Sequence, residues 1–169
     1  GIRNHAIIPS VNKGPAGPRT VRKRKEVLRM KRSEAREQAF VLVFEQSFSH
    51  DAMEQLVDTA EAVMEKPVDD FAERIALGTE AHLAELDGMI EKNIHGWKMN
   101  RLSRVSLAVL RLALYEMLYE EDTPVGVTIN EAVELAKKYG GAEDAPFVNG
   151  LLGTVARERG EKKPGRENE

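Results

Sequence analysis

The histidines are the first residues to test for chemistry, because histidine is a common metal ligand and general base. No two of them lie four residues apart, and none belongs to a His-Glu-x-x-His pattern. The chain contains His5, His50, His82 and His95. Their spacing therefore predicts neither a metal site nor histidine-based catalysis.

Carboxylates and glycines also form no pattern that is typical of an active site. Acidic runs such as Asp69–Asp70 and Glu120–Asp122 are common on the solvated faces of an acidic helical protein. Gly140–Gly141 and Gly150–Gly153 lack the Lys-Ser/Thr step of a phosphate-binding loop and follow no strand. The sequence predicts a protein that is not an enzyme and holds no cofactor.

Positive charge is concentrated at one end of the chain. Residues 1–36 carry 11 Lys/Arg and 2 Asp/Glu, whereas residues 37–169 carry 14 Lys/Arg and 26 Asp/Glu. A cationic arm on an acidic body favours a polyanionic partner, and nucleic acid first, because neutralised phosphates release their counterions. A solvated tail without a function is the alternative.

Two further features favour nucleic acid. Lys31, Arg32 and Arg36 continue the arm onto a helix, where guanidinium groups can bind phosphates bidentately and stack on bases. Phe147 begins a helix after a glycine-rich acidic turn and offers a stacking face for an unpaired base. An ordinary charged surface helix and plain core packing of Phe147 remain the alternatives.

Composition places the protein in a broad class. The chain has 169 residues, enough for one domain with its own core, and it has no cysteine. A cysteine-free chain fits a reducing compartment, and we expect a cytoplasmic protein. No apolar run approaches the ~20 residues that a membrane span requires.

The apolar periodicity is helical throughout. We expect a first helix capped by Ser33, a second capped by Ser49 or Asp51, and a long third helix over 68–93, with Gly78 where another backbone packs close. A central helix, Val105–Tyr119, is apolar nearly all round, which is typical of a helix surrounded by others. Two more helices follow, one capped by Thr128 or Asn130 and one over 144–159.

These elements predict an all-α bundle of about seven helices with short connections. Residues 1–29 are rich in proline, glycine and basic side chains, so we expect a disordered extension. Met30 is a candidate natural start, which would make that extension non-native. Residues 30–159 form the folded domain, and 160–169 form a charged flexible tail.

Several stretches carry a specific combination of residues. They are Met30–Ala39, Ala108–Glu116, Pro124–Val125 with Ile129–Lys137, and Phe147–Leu152. In order and spacing they resemble the NusB family of transcription antitermination factors, over about 30–158. The resemblance implies two three-helix bundles that share a central region, and a role without catalysis.

The same resemblance implies partners and a function. NusB-like proteins pair with NusE, a ribosomal protein of the small subunit, and the pair binds the single-stranded boxA element of nascent RNA. The resulting complex helps RNA polymerase to resist termination, notably on rRNA operons.

The resemblance also implies functional residues. RNA contacts fall at Lys31, Arg32, Arg36, Phe44, Glu143, Asp144 and Phe147. Partner contacts fall at Ser106, Tyr115 and Glu116, with packing as the alternative for the last two. The chain departs from the family at Ser33 and Glu34, which stand where arginines are frequent, and at Ser106, which replaces a frequent acidic residue.

Two other functions stay open. The first is the NusB-like RNA-binding domain of an rRNA cytosine methyltransferase. It requires a strand-rich second domain with a cofactor loop and nucleophilic cysteines, and the chain reaches Glu169 without them. The second is a helical adaptor that binds only protein.

Overall fold

The computed structural model describes residues 30–95 and 99–160. Within these ranges the chain forms seven α-helices and one short 3-10 helix, and no strand. The predicted all-α class is confirmed. The α-helices are α1 (Arg32–Ser49), α2 (Met53–Met64), α3 (Asp70–Ala81), α4 (Leu83–Lys92), α5 (Arg104–Tyr119), α6 (Val125–Tyr139) and α7 (Asp144–Gly160), with the 3-10 turn at Met99–Arg101.

Six of the described α-helices pack as two groups of three, and α5 belongs to one group while it contacts the other. Helices α1, α2 and α3 contact one another, and α5, α6 and α7 contact one another. Helix α5 also contacts α1, α3 and α4. It is the helix that is apolar nearly all round, and its Leu110 and Leu114 are fully buried. The predicted central helix therefore lies at the junction of the two groups, where helices of both groups cover most of its surface.

Helix starts differ from several sequence expectations. Helix α1 begins at Arg32 with Lys31 at its N-cap, so Ser33 lies inside the helix and not at its cap. Neither Ser49 nor Asp51 caps α2. Its N-cap is Ala52, and the Met53 amide donates to the carboxylate of Glu80 on α3. A contact between helices thus replaces the local cap.

The predicted long helix over 68–93 is two helices. The break lies at His82, whose ring Nδ1 is 3.0 Å from the Gly78 carbonyl oxygen. Asp69 caps α3 by accepting hydrogen bonds from the Phe71 and Ala72 amides. Helix α6 begins at Val125 after Pro124, three residues before the earlier of its two predicted caps. Proline just before the helix is compatible with this start, because N–H groups at the beginning of a helix have no acceptor within it.

Some predictions concern parts of the chain that the structure does not describe. The basic extension over 1–29 lies outside the described residues, and only Gly160 of the tail over 160–169 is described. Among the described helices, none combines the length and apolar character needed to cross a bilayer.

Candidate nucleic-acid interface

The N-terminal turn of α1 presents two exposed cations. Lys31 and Arg32 are both exposed, and the Arg32 guanidinium carbon lies 4.0 Å from the ring centroid of Phe71 on α3. Neither side chain forms an ion pair with any residue in the described ranges. The stacking contact holds the Arg32 guanidinium near the surface while leaving its donors accessible to an anion.

Arg36 occupies a different environment. The residue is buried with 5% exposure, and its Nε donates to both carboxylate oxygens of Glu116 on α5 at 3.0 Å. Its Nη2 donates to Oε2 of the same carboxylate at 2.6 Å. Glu116 is itself only 2% exposed. Buried charges need such a partner because an unpaired charge pays a large desolvation cost.

The pairing of Arg36 with Glu116 bears on two site predictions. Arg36 is a predicted RNA contact, and Glu116 is a predicted partner contact. The structure nevertheless directs both side chains to each other inside the bundle. The 80 residues that separate them explain why sequence spacing contained no sign of the pair.

A third arginine completes an arginine cluster, which we define as Arg32, Arg36 and Arg74 around the Phe71 ring. The Arg36 and Arg74 guanidinium carbons lie 5.4 and 5.3 Å from the ring centroid. Arg74 is also bidentate to Glu120, the C-cap residue of α5, with both contacts at 3.0 Å. Within the cluster, Arg32 is therefore the guanidinium whose charge lacks an ion-pair partner among the described side chains.

The opposite half of α1 carries aromatic rings. Phe40 and Phe44 stack with centroids 5.7 Å apart, and Phe44 meets Phe48 edge-on at 5.0 Å. Phe40 also contacts Tyr139 at the end of α6, with centroids 4.9 Å apart. We call Phe40, Phe44, Phe48 and Tyr139 the aromatic surface. Phe40 is buried, Phe44 is half-buried, and Phe48 and Tyr139 are exposed.

An arginine covers the outer end of this surface. The Arg104 guanidinium carbon lies 4.4 Å from the Phe48 centroid, and its Nη1 donates to the Ser47 carbonyl at 2.7 Å. Neither Phe48 nor Arg104 was predicted as a site residue from the sequence. The spacing of Phe40, Phe44 and Phe48, each four residues from the next, was a detectable sign of a helical stripe. Nothing in the sequence linked Arg104 to that stripe.

Glu37 connects α1 to the end of α6. The Lys138 ammonium contacts the Glu37 carboxylate at 2.6 Å, and the Tyr139 hydroxyl also donates to it. These two hydrogen bonds hold the pKa of Glu37 below its ordinary value, although partial burial opposes the shift. Tyr139 is thereby fixed against Phe40 at the edge of the aromatic surface.

Asp144 joins the start of α7 to the start of α5. Its Oδ1 accepts from the hydroxyls of Ser103 and Ser106, each at 2.6 Å, and its Oδ2 accepts from the Gly141 amide at 2.7 Å. Partial burial raises the pKa of this carboxyl, but the three hydrogen bonds outweigh burial and leave the pKa below its ordinary value. Both carboxylate oxygens are thus engaged within the protein.

The remaining predicted RNA residues lie in the same region. Glu143 is exposed, and its carbonyl accepts from the Phe147 amide at 3.3 Å in the first turn of α7. Phe147 is half-buried and packs against the core with part of its ring. The Asp144 contacts therefore bring the Glu143–Phe147 turn to the N-terminus of α5, where Arg104 meets Phe48.

The predicted partner residues Ser106 and Tyr115 have internal contacts. Ser106 is buried and donates to Asp144. Tyr115 is half-buried and stacks on Tyr119 with centroids 5.0 Å apart. A Cβ at Gly78 would lie 2.1 Å from the Tyr115 ring. The expected close neighbour of Gly78 is therefore an aromatic side chain and not another backbone.

A groove of about 830 Å³ lies between α6 and α7 beside this region. Among the described residues, its lining includes Lys137, Asn130 and Asn149 and contains no acidic side chain. Across residues 30–95 and 99–160, no group of three or more His, Asp or Glu side chains is arranged to hold a metal ion. The groove thus presents the Lys137 ammonium as its charged group among the described residues.

The fold and these surfaces define a class: an all-α protein built of two helical groups around one central helix, with cations and aromatic rings along its first helix. The family model of the NusB family matches residues 33–157. The chain therefore belongs to the NusB family, as its sequence motifs predicted.

The chain matches known relatives over nearly their full lengths. The transcription antitermination protein NusB of Listeria monocytogenes serotype 4b (strain CLIP80459) is 40% identical over 129 residues, covering 76% of this chain and 98% of the relative. The crystal structure of T. maritima NusB matches with a TM-score of 0.68 and 36% identity, covering 76% of this chain and 92% of that one.

A third match involves an assembly. A chain in the crystal structure of the antitermination factors NusB and NusE in complex with double-stranded RNA matches with a TM-score of 0.68. The identity is 25%, and the match covers 75% of this chain and 96% of that chain.

Proposed function

We propose that this protein is an RNA-binding transcription antitermination factor. It pairs with NusE, and the pair binds boxA-type single-stranded RNA in nascent transcripts, notably those of rRNA operons. It acts in the cytoplasm as part of an RNA polymerase antitermination complex. It has no catalytic activity and needs no cofactor.

Membership of the NusB family carries this proposal. The relatives are antitermination proteins by name, and one matched structure contains NusB, NusE and RNA together. The match extends over 98% of the Listeria relative, so the similarity is not confined to a shared subdomain.

The described surfaces supply a mechanism. The exposed Lys31 and Arg32 attract phosphates, and such contacts give affinity that falls with salt concentration. Sequence selection requires bases, and unpaired bases are read by stacking and by contacts to their edges. The aromatic surface and the Glu143–Phe147 turn provide stacking faces and polar groups beside the N-terminus of α5. The acidic body offers complementary charge to a basic ribosomal protein.

A binding experiment tests the proposal. The affinity for a boxA-like RNA is compared with that for a scrambled RNA of equal length, each with and without NusE. We expect the protein–NusE pair to bind the boxA-like RNA at least tenfold more tightly than the scrambled one, about 1.4 kcal/mol. Equal, weak binding of both RNAs in the presence of NusE would overturn the antitermination function and favour the protein-binding adaptor.

A further inference from the structure

We propose that Phe48 and Arg104 together form a stacking site for one unpaired base of the bound RNA. The inference rests on the proposed RNA-binding function and adds a specific contact to it. Neither residue belongs to the RNA contacts that the family motifs predict.

The Phe48 ring is accessible and held in place. It lies in the last turn of α1 with 55% of its surface exposed, the most exposed ring of the aromatic surface. Phe44 meets it at an interplanar angle of 72°, so one neighbour supports the ring from the core side. An exposed ring in a fixed orientation can receive a flat apolar surface without first ordering itself.

Arg104 adds an uncompensated charge to this ring. Its Nη1 donates to the Ser47 carbonyl, which orients the guanidinium 4.4 Å from the Phe48 centroid. No acidic side chain of the described residues forms an ion pair with Arg104. A guanidinium plane over an aromatic ring is a surface on which bases stack, and its other donors remain available to phosphate.

The position of the pair connects it to the rest of the interface. Ser103, next to Arg104 in the chain, donates its hydroxyl to Asp144 at the start of α7. An RNA strand that contacts Phe44 and the Glu143–Phe147 turn therefore passes close to Phe48 and Arg104. Arg101, in the preceding 3-10 turn, is also exposed and adds positive charge to this end.

Charge favours a polyanion over an apolar peptide as the occupant. An apolar partner would bury the Arg104 guanidinium without a counter-charge, which is costly. RNA supplies a base for the ring and a phosphate for the cation. Arg104 also has a structural role. It places a cation at the C-terminus of α1, and the last turn of that helix has no basic residue of its own.

The test combines variants with modified RNA. Phe48→Leu keeps an apolar side chain and removes the aromatic face. Its control is Val63→Ala on α2, which changes an apolar residue that is even more exposed, at 76%, and lies outside the aromatic surface. Each protein is titrated, in complex with NusE, with the boxA-like RNA and with a set of RNAs that lack one base each. Thermal unfolding is followed in parallel.

We expect Phe48→Leu to weaken binding of the intact RNA about fivefold or more, with the melting temperature unchanged. One abasic position should weaken binding to the unmodified protein by a similar factor and have no further effect in Phe48→Leu, because both changes remove the same contact. Val63→Ala should bind like the unmodified protein. Arg104→Gln should weaken binding and reduce its salt dependence, whereas Lys92→Gln on α4 should do neither.

Each contrary result has a definite meaning. If the unmodified protein binds the boxA-like RNA selectively and Phe48→Leu binds it equally well, the stacking site is wrong and the proposed function stands. If Phe48→Leu instead weakens binding of NusE in the absence of RNA, the surface belongs to the protein partner and the proposal is also wrong. If the unmodified protein shows no selective RNA binding, the proposed function itself fails and the stacking site falls with it.

Discussion

Two arginine–phenylalanine contacts lie near opposite ends of α1, and they differ in what surrounds the ring. At the N-terminal end, Arg32 stacks on Phe71, which is only 2% exposed. At the C-terminal end, Arg104 stacks on Phe48, which is 55% exposed. Arg32 and Phe48 are 16 residues apart, or about 24 Å along the helix axis. The same kind of contact thus covers a buried ring at one end and an accessible ring at the other.

The charges around the two rings also differ. Around Phe71, two of three guanidinium groups are neutralised, by Glu116 and by Glu120. Over Phe48, Arg104 has no such partner in the described part of the chain. We conclude that arginine count is a poor guide to a phosphate-binding surface. Pairing with carboxylates decides which arginines serve the fold and which remain available to a ligand.

Removal of Glu116 should have the largest effect. Glu116→Ala leaves the buried Arg36 guanidinium without a counter-charge, and we expect a loss of about 3–5 kcal/mol in the free energy of unfolding. Urea denaturation measures this loss. The control is Glu134→Ala, which removes an exposed partner of Lys137 and should change stability by less than about 0.5 kcal/mol. A Glu116→Ala loss of the same small size would show that the pair is not structural.

The contact between α3 and α5 that supports the arginine cluster can be weakened by one methyl group. Gly78→Ala places a Cβ 2.1 Å from the Tyr115 ring, which must then leave its stack on Tyr119. We expect a destabilisation of about 1–3 kcal/mol from overpacking.

Gly88→Ala is the matched control for Gly78→Ala. No atom lies within 4 Å of a Cβ at Gly88, so this change in α4 should stabilise the protein by about 0.5–1 kcal/mol. Thermal unfolding of the two variants measures the difference in sign. A stabilising Gly78→Ala would contradict the close approach of Tyr115.

Arg32 and Arg36 should respond differently to the same substitution. Arg32→Ala should lower RNA affinity uniformly across sequences and reduce the slope of log affinity against log salt by about 1, with stability nearly unchanged. Arg36→Ala should chiefly destabilise the protein, because it leaves Glu116 buried and unpaired. Binding at several salt concentrations, combined with denaturation, separates these effects. An unchanged salt slope in Arg32→Ala would exclude Arg32 from the phosphate contacts.

The smallest effect concerns acid stability near the aromatic surface. The folded-state pKa of Asp144 is lowered from an ordinary value of 3.8, so its contribution to stability is present above that value and is lost as pH falls through the folded-state pKa. Asp144→Asn should therefore be less stable than the unmodified protein at neutral pH, with the difference shrinking as the pH falls below about 4. Unfolding free energies measured over this range check the sign. A difference that grows in acid would contradict the lowered pKa.

Local sequence features predicted the helices well and their boundaries less well. The apolar period located the central helix to within one residue, because period 3.6 is a property of neighbouring residues. The break at His82 was missed because the period continues on both sides of it. The start of α2 was missed because its first amide bonds to Glu80, which belongs to another helix.

The candidate site also has features that the sequence predicted and contacts that it did not. The family, the all-α class, the cationic start of α1 and the aromatic spacing along it could be predicted, since each depends on residue types at short separations. Three contacts became visible when the helices were placed in space: Arg36 is buried against Glu116, Asp144 is bound by Ser103 and Ser106, and Arg104 lies on Phe48. The physical reason is that a charge or a ring acquires its role from its neighbours in space. In a helical bundle those neighbours come from other helices, tens of residues away in the chain.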